Sequence, residues 1–155
     1  MKNLAFNTLK FGVLVGTFDI LAALVQYYLK TQKNPITVLN FIASGVFGKE
    51  AFSGGNKMAA FGLLFHYLIA LGFTLLFFVL YPKLKALIQN KFFLGSLYGL
   101  FIWLTMQFVI VPLSRAPIMK LKVEGAITAI LILIVCIGIP LSLYAGTVIP
   151  NRKNN

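Results

Sequence analysis

Residues Gly12 to Leu29, GVLVGTFDILAALVQYYL, form an apolar run interrupted by one carboxylate, Asp19, near its middle. Crossing the hydrocarbon core of a bilayer as a helix takes about 20 apolar residues. Counted from Phe11, the run therefore reads as a transmembrane span. A charged side chain at bilayer depth costs at least ~2.5 kcal/mol on insertion scales, so Asp19 needs a partner, a proton or a wet cavity. Gly12, Gly16, Asp19 and Ala23 recur at helical spacing and share one face. Small residues let backbones approach closely in lipid, so this stripe is expected to face protein and to carry Asp19 inward.

Composition extends that reading to the whole chain. The 155 residues are 59% hydrophobic and 11% charged, against roughly 25% charged residues in an ordinary soluble domain. The length leaves room for a single integral membrane domain over residues 1–155. The net charge of +11 arises from 14 Lys and Arg against 3 acids, and most of the cations fall between or beside apolar runs. There they hold loops at anionic headgroups, which makes the lipid bilayer the implied partner and excludes nucleic acid. The single cysteine, Cys136, cannot form an internal disulfide. No CxxC, HExxH, GxGxxG or GxxxxGK[ST] pattern occurs, so no metal site, cofactor or nucleotide is expected. Lys2 and Lys10 ahead of an apolar run imitate a secretory signal, but Asp19 within it and the Gln26-Tyr27-Tyr28 end predict a retained helix.

Beyond the first span, Lys30 to Asn34 is a polar break, and Asn34-Pro35 reads as a helix cap followed by a first-turn proline. Residues 35–52 mix Val38, Phe41 and Ile42 with Asn40, Ser44, Lys49 and Glu50 and contain Gly45 and Gly48. That is too polar and too broken for a span, and predicts an interfacial or re-entrant helix. Ser53-Gly54-Gly55-Asn56 reads as the turn after it. A second span is expected over 58–80, with Gly62, His66 and Ala70 on one face and Pro82 to Lys85 closing it. A third is expected over 92–111, with Gly95, Gly99, Trp103 and Met106 on successive turns and a breaker at Val111 to Pro117. A fourth is expected over 126–148, kinked near Cys136 to Pro140. The fold class is thus an all-α membrane protein: four transmembrane helices in a bundle plus one interfacial or re-entrant helix between the first two spans.

Four spans place both ends of the chain on one side. The Lys and Arg then divide evenly, with Lys2, Lys10, Lys83, Lys85, Lys91, Arg152 and Lys153 against Lys30, Lys33, Lys49, Lys57, Arg115, Lys120 and Lys122. The rule that cations stay cytoplasmic therefore does not choose a side. The first and third spans also share the pattern GxLxGxFxxL, from Gly12 and from Gly95. Ile102 stands in the second copy where Asp19 stands in the first.

Asp19 and His66 lie on consecutive antiparallel spans at depths about four residues apart, roughly 6 Å at 1.5 Å per residue. Two readings follow. The pair is a polar intramembrane site on a proton, ion or small-molecule pathway, or it is an inter-helix hydrogen bond that fixes packing. Ser44, Gly45, Lys49, Glu50, Gly54 and Gly55 are candidates for a roof over such a site, with Arg115 reaching in from the same side. One His and three acids do not make the usual catalytic zinc set unless several come together. No nucleophile constellation is visible, so no catalytic residue is assigned and the reading leans away from an enzyme. The alternative is a non-catalytic membrane scaffold or subunit of a larger complex, packing against a membrane partner or a second copy through its glycine faces.

The residues Asp19, Ile42-Ala43-Ser44-Gly45, Gly48, Ala51-Phe52, Gly54-Gly55, Gly62, His66, Ile69-Ala70, Gly95, Tyr98-Gly99, Met106 and Pro112-Leu113-Ser114 carry a resemblance. Its most specific parts are IASGxxGxxAFxGG followed by GxxxH. Over residues 12 to 117 the chain resembles an uncharacterised family of small bacterial four-helix membrane proteins, similar to the YagU-type inner-membrane family. The resemblance implies a multi-pass protein of the bacterial inner membrane in which Asp19, the 42–55 segment and His66 belong to one site. It implies no activity.

Overall fold

A computed structural model of the chain describes residues 4–117 and 122–149, and every regular element among them is helical. The elements are α1 (Leu4–Thr31), α2 (Ile36–Phe47), α3 (Gly55–Leu87), α4 (Lys91–Leu113) and α5 (Val123–Val148). All but α2 are long and apolar enough to cross a membrane. The four expected spans lie inside these helices, which run on past the hydrocarbon depth at one or both ends. Lys2, Lys120, Arg152 and Lys153 lie outside the described residues.

Local chemistry accounts for most helix ends. Asn34 Oδ1 accepts from the Ile36 N–H at 3.0 Å, which caps α2 as its sequence suggests. Asn90 Oδ1 caps α4 by accepting from Phe92 and Phe93 N–H at 2.9 and 3.2 Å. The helix expected over 35–52 divides at Gly48, whose φ of +65° leaves the α region, and residues Gly48–Phe52 continue as a 3₁₀ turn. With 12 residues, α2 is about 18 Å long and too short to span.

Pro82 does not close the second span as expected, while the break expected at Val111 to Pro117 does hold the end of α4. Helix α3 passes through Pro82 and stops only at Leu87, where Ile88 N–H bonds the Leu84 carbonyl at 2.8 Å. A single proline removes one backbone bond, and helices in lipid tolerate that loss. Helix α4 likewise passes Pro112, and α5 passes Pro140, each by the same device. The residue before the proline, Val111 or Ile139, donates to the carbonyl five residues back, at Met106 or Ile134. These π turns, Met106–Ile110 and Ile134–Gly138, widen the helix where the proline ring would strike a preceding carbonyl. The kink expected at Cys136 to Pro140 is therefore a π turn.

The bundle is assembled as two close pairs. Helix α1 packs along α3 and α4 packs along α5, while α1 against α5 and α3 against α4 complete the ring. A Cβ on Gly95 would lie 2.7 Å from Ile139 Cα, and one on Gly99 would lie 2.7 Å from Ile134 Cα. Gly138 in turn faces the backbone of Gly95 and Gly99. Backbone thus meets backbone at this crossing, as glycine permits in lipid. Tyr98 OH donates to the Phe73 carbonyl at 2.6 Å between α4 and α3. Tyr144 OH donates to Asn7 Oδ1 at 3.1 Å and its ring stacks on Phe11, joining α5 to α1.

The solid core lies in the half of the bundle nearer the chain ends, around Val15, Phe77, Phe78, Tyr81, Leu94, Ile137 and Leu141. In the other half α2 enters between the start of α3 and the end of α4. The backbone of Leu39 rests on Gly62, and Phe47 packs against Phe61 and Phe65. At the end of α2, the Gly45 carbonyl accepts from the Arg115 N–H at 2.9 Å. Apolar side chains such as Val13, Leu14, Phe18, Leu21 and Val25 point outward from α1, as a lipid-facing surface requires.

Gly138 and Gly72 provide a matched test of the backbone crossing. A methyl on Gly72 would enter open space, whereas one on Gly138 would meet the α4 backbone. Gly138→Ala should lower unfolding stability in detergent by about 1–3 kcal/mol through overpacking, and Gly72→Ala should leave it unchanged or slightly raised. Equal unfolding curves for the two variants would contradict the crossing.

Candidate functional site

The site is built on the small-residue face of α1. A Cβ on Gly12 would lie 2.6 Å from Leu71 Cδ2 and 3.3 Å from Thr74 Oγ1, and one on Gly16 would lie 3.1 Å from Ala70 Cβ. With no side chain in the way, α3 approaches closely enough for His66 Nε2 to reach the Gly16 carbonyl at 2.8 Å. A carbonyl only accepts, so Nε2 carries the hydrogen and Nδ1 is left for other chemistry. The next residues along both helices add a second clamp. Thr17 Oγ1 donates to the Val13 carbonyl at 2.8 Å and so accepts from Tyr67 OH, also at 2.8 Å.

Asp19 follows Gly16 by three residues, about 4.5 Å along the helix axis. Together with His66 it lines a cavity of ≈ 340 Å³ in the half of the bundle away from the chain ends. The other polar side chains on its wall are Gln26 from α1 and Gln107 from α4, with the Trp103 indole. The rest is apolar, with Ile20, Ala23, Ile69, Phe73, Ile102, Leu133 and Ile137 among the contributors. Ile102 thus faces the same cavity from α4 that Asp19 faces from α1.

The two sequence-derived site residues share a cavity without a direct hydrogen bond, and His66 Nε2 bonds the Gly16 carbonyl instead. No described residue donates a hydrogen bond to the Asp19 carboxylate. Among the described residues His66 of α3 is the other titratable group on the cavity wall. Helices α2 and α4 present none to the cavity.

The 35–55 segment does contribute a wall, with Val38, Phe41 and Ile42. The polar and glycine residues singled out as a roof stand elsewhere. Ser44 is buried and donates to the Phe41 carbonyl at 2.6 Å, while Gly45 borders a neighbouring pocket of ≈ 170 Å³ together with Ser114. Lys49 and Glu50 are exposed on the 3₁₀ turn, Gly54 and Gly55 are exposed at the start of α3, and Arg115 is exposed beyond α4. The physical reason is helical phase: Val38, Phe41 and Ile42 form the face of α2 turned to the bundle. The charged residues come after the Gly48 break.

Gln26 and Gln107 carry a signal that the small-residue stripes extend. Gln26 lies two turns after Asp19 on the same face, and Gln107 lies one turn after Trp103. Among the described residues no three His, Cys, Asp or Glu side chains come together in a way that could hold a metal ion. No family model, curated protein or solved structure matches the chain.

The Gly16 contact dictates the tautomer of His66. In ¹⁵N NMR of histidine-labelled protein, neutral His66 should show a protonated Nε2 and a bare Nδ1. The opposite tautomer would be incompatible with the bond to the Gly16 carbonyl.

Proposed function

We propose that this integral membrane protein takes a small polar or charged solute, or a proton, into the Asp19 and His66 cavity as part of a permeation or proton-responsive role. The observation that carries this reading is Asp19 itself. It is a carboxylate inside a transmembrane bundle, facing a cavity and without a hydrogen-bond donor among the described residues. Ionisable residues in such positions are costly and mark substrate, ion and proton pathways. Packing is supplied here by other groups, namely the Gly16 to His66 bond, the Thr17 and Tyr67 pair and the glycine contacts. The resemblance stated from the sequence would locate the protein in a bacterial inner membrane.

The core at the end of the bundle near the chain termini closes that end of the cavity, so passage requires Phe77, Phe78 and their neighbours to shift. The scaffold alternative relies on glycine faces free to receive partners. Gly12 and Gly16 are occupied by α3, and Gly95, Gly99 and Gly138 occupy one another. The glycine stripes of α1, α4 and α5 are therefore used inside the bundle.

The test uses the full chain in liposomes containing a pH-sensitive dye, with parallel osmotic measurements for small cations, anions and neutral polar solutes. At least one of these should enter wild-type vesicles several-fold faster than vesicles with Asp19→Asn, and His66→Ala should also change that rate. Identical rates for wild type and Asp19→Asn with protons and every solute class would overturn the reading.

A further inference from the structure

Resting on that reading of the cavity, we infer that its ligand is a small organic cation, specifically a protonated amine. Charge comes first. The chain carries 14 Lys and Arg, yet among the described residues none lines the cavity, whose only formal charge there besides any proton on His66 is the Asp19 carboxylate. An anion would meet that carboxylate with no cation to offset it. A neutral solute would leave Asp19 without a counter-charge at bilayer depth.

Hydrogen-bonding capacity points the same way. The Asp19 oxygens and Nδ1 of neutral His66 only accept, while Gln26 and Gln107 each offer a carbonyl acceptor beside their N–H donors and the Trp103 indole donates, and Nε2 of His66 is already spent on Gly16. A ligand that brings N–H donors around a positive centre satisfies the two acceptor-only groups, and the glutamine carbonyls can turn to it. The Trp103 ring adds a favourable face for a cation held within about 6 Å of its centre.

The wall decides between a bare ion and an organic one. A small metal cation needs a shell of several oxygen ligands, and beyond Asp19 and two glutamines this lining is almost entirely hydrocarbon and aromatic. An ammonium with an apolar body uses both parts, its charged end at Asp19 and its hydrocarbon against Phe41, Ile42, Phe73 and Ile102. The volume of ≈ 340 Å³ lies at the small end of the roughly 300–1,000 Å³ usual for small-molecule pockets. A compact monoamine is the class of ligand implied.

Trp103 is the chain's single tryptophan and lines the cavity, so its emission reports occupancy directly. The full chain in nanodiscs is titrated with three probes of matched shape that do not absorb at the exciting wavelength: cyclohexylmethylamine, cyclohexylmethanol and cyclohexanecarboxylate, at neutral pH. The amine should shift Trp103 emission saturably, and the alcohol and carboxylate should require at least tenfold higher concentrations for any saturable shift. Asp19→Asn should raise the half-saturating amine concentration at least tenfold, and Asp19→Glu should bring it back to within about threefold of wild type. An equal response to alcohol or carboxylate in the wild type overturns the cation inference while leaving a solute-binding cavity intact. An amine response unaffected by Asp19→Asn overturns it too. Silence to all three probes, combined with unchanged vesicle fluxes, removes both this inference and the reading it rests on.

Discussion

The contact on which the bundle depends is the one made possible by the missing side chain at Gly16. Helices in lipid gain nothing from hiding apolar surface from their surroundings, so they associate through close packing and inter-helix hydrogen bonds. Gly16 supplies both at once. Its bare Cα lets α3 draw near, and its carbonyl becomes the acceptor for His66. Glycine within a helix costs roughly 0.5–1 kcal/mol relative to alanine. That cost is offset by a polar contact in a medium that offers the imidazole no water. It also sets the register of α1 against α3, which brings Asp19 to the cavity one turn further on.

The second pair of helices solves the same problem with backbone alone. Gly95 and Gly99 on α4 receive the π turn of α5 that contains Gly138. That π turn exists because Pro140 follows it, and the π turn of α4 precedes Pro112 in the same arrangement. Both turns border the cavity, through Met106 and Gln107 on one side and Ile137 on the other. The irregular backbone is therefore not scattered. Both π turns lie beside the cavity, which is where re-aimed side chains are of use.

The cavity follows from this uneven packing. Near the chain ends, rings from α3 and α4 fill the space between all four spans. In the opposite half, α2 packs along the start of α3 and supplies one wall of the opening through Val38, Phe41 and Ile42. Its 12 residues cannot cross the bilayer, but they cover the cavity from the side.

Asp19, Gly12 and Gly16 could be assigned an inward face from sequence because a helix repeats its faces at a fixed period, and the spans could be counted because bilayer thickness sets their length. The Asn34 and Asn90 caps were legible for a similarly local reason. The partner of His66 was not, because a backbone carbonyl leaves no mark in the pattern of side chains, and Asp19 was the only visible candidate. Pro82 suggested a helix end since the sequence lists a missing N–H but not the neighbouring backbone bonds that carry α3 on to Leu87, whereas the break expected at Val111 to Pro117 does hold the end of α4. The wall made by Val38, Phe41 and Ile42, and the convergence of Gln26 with Gln107, depend on how α2 and α4 are rotated about their axes in the bundle. Sequence by itself determined that this is a four-span helical membrane protein with one buried acid. Tertiary structure alone decided what that acid faces, because helix rotation and crossing are set by contacts between residues far apart in the chain.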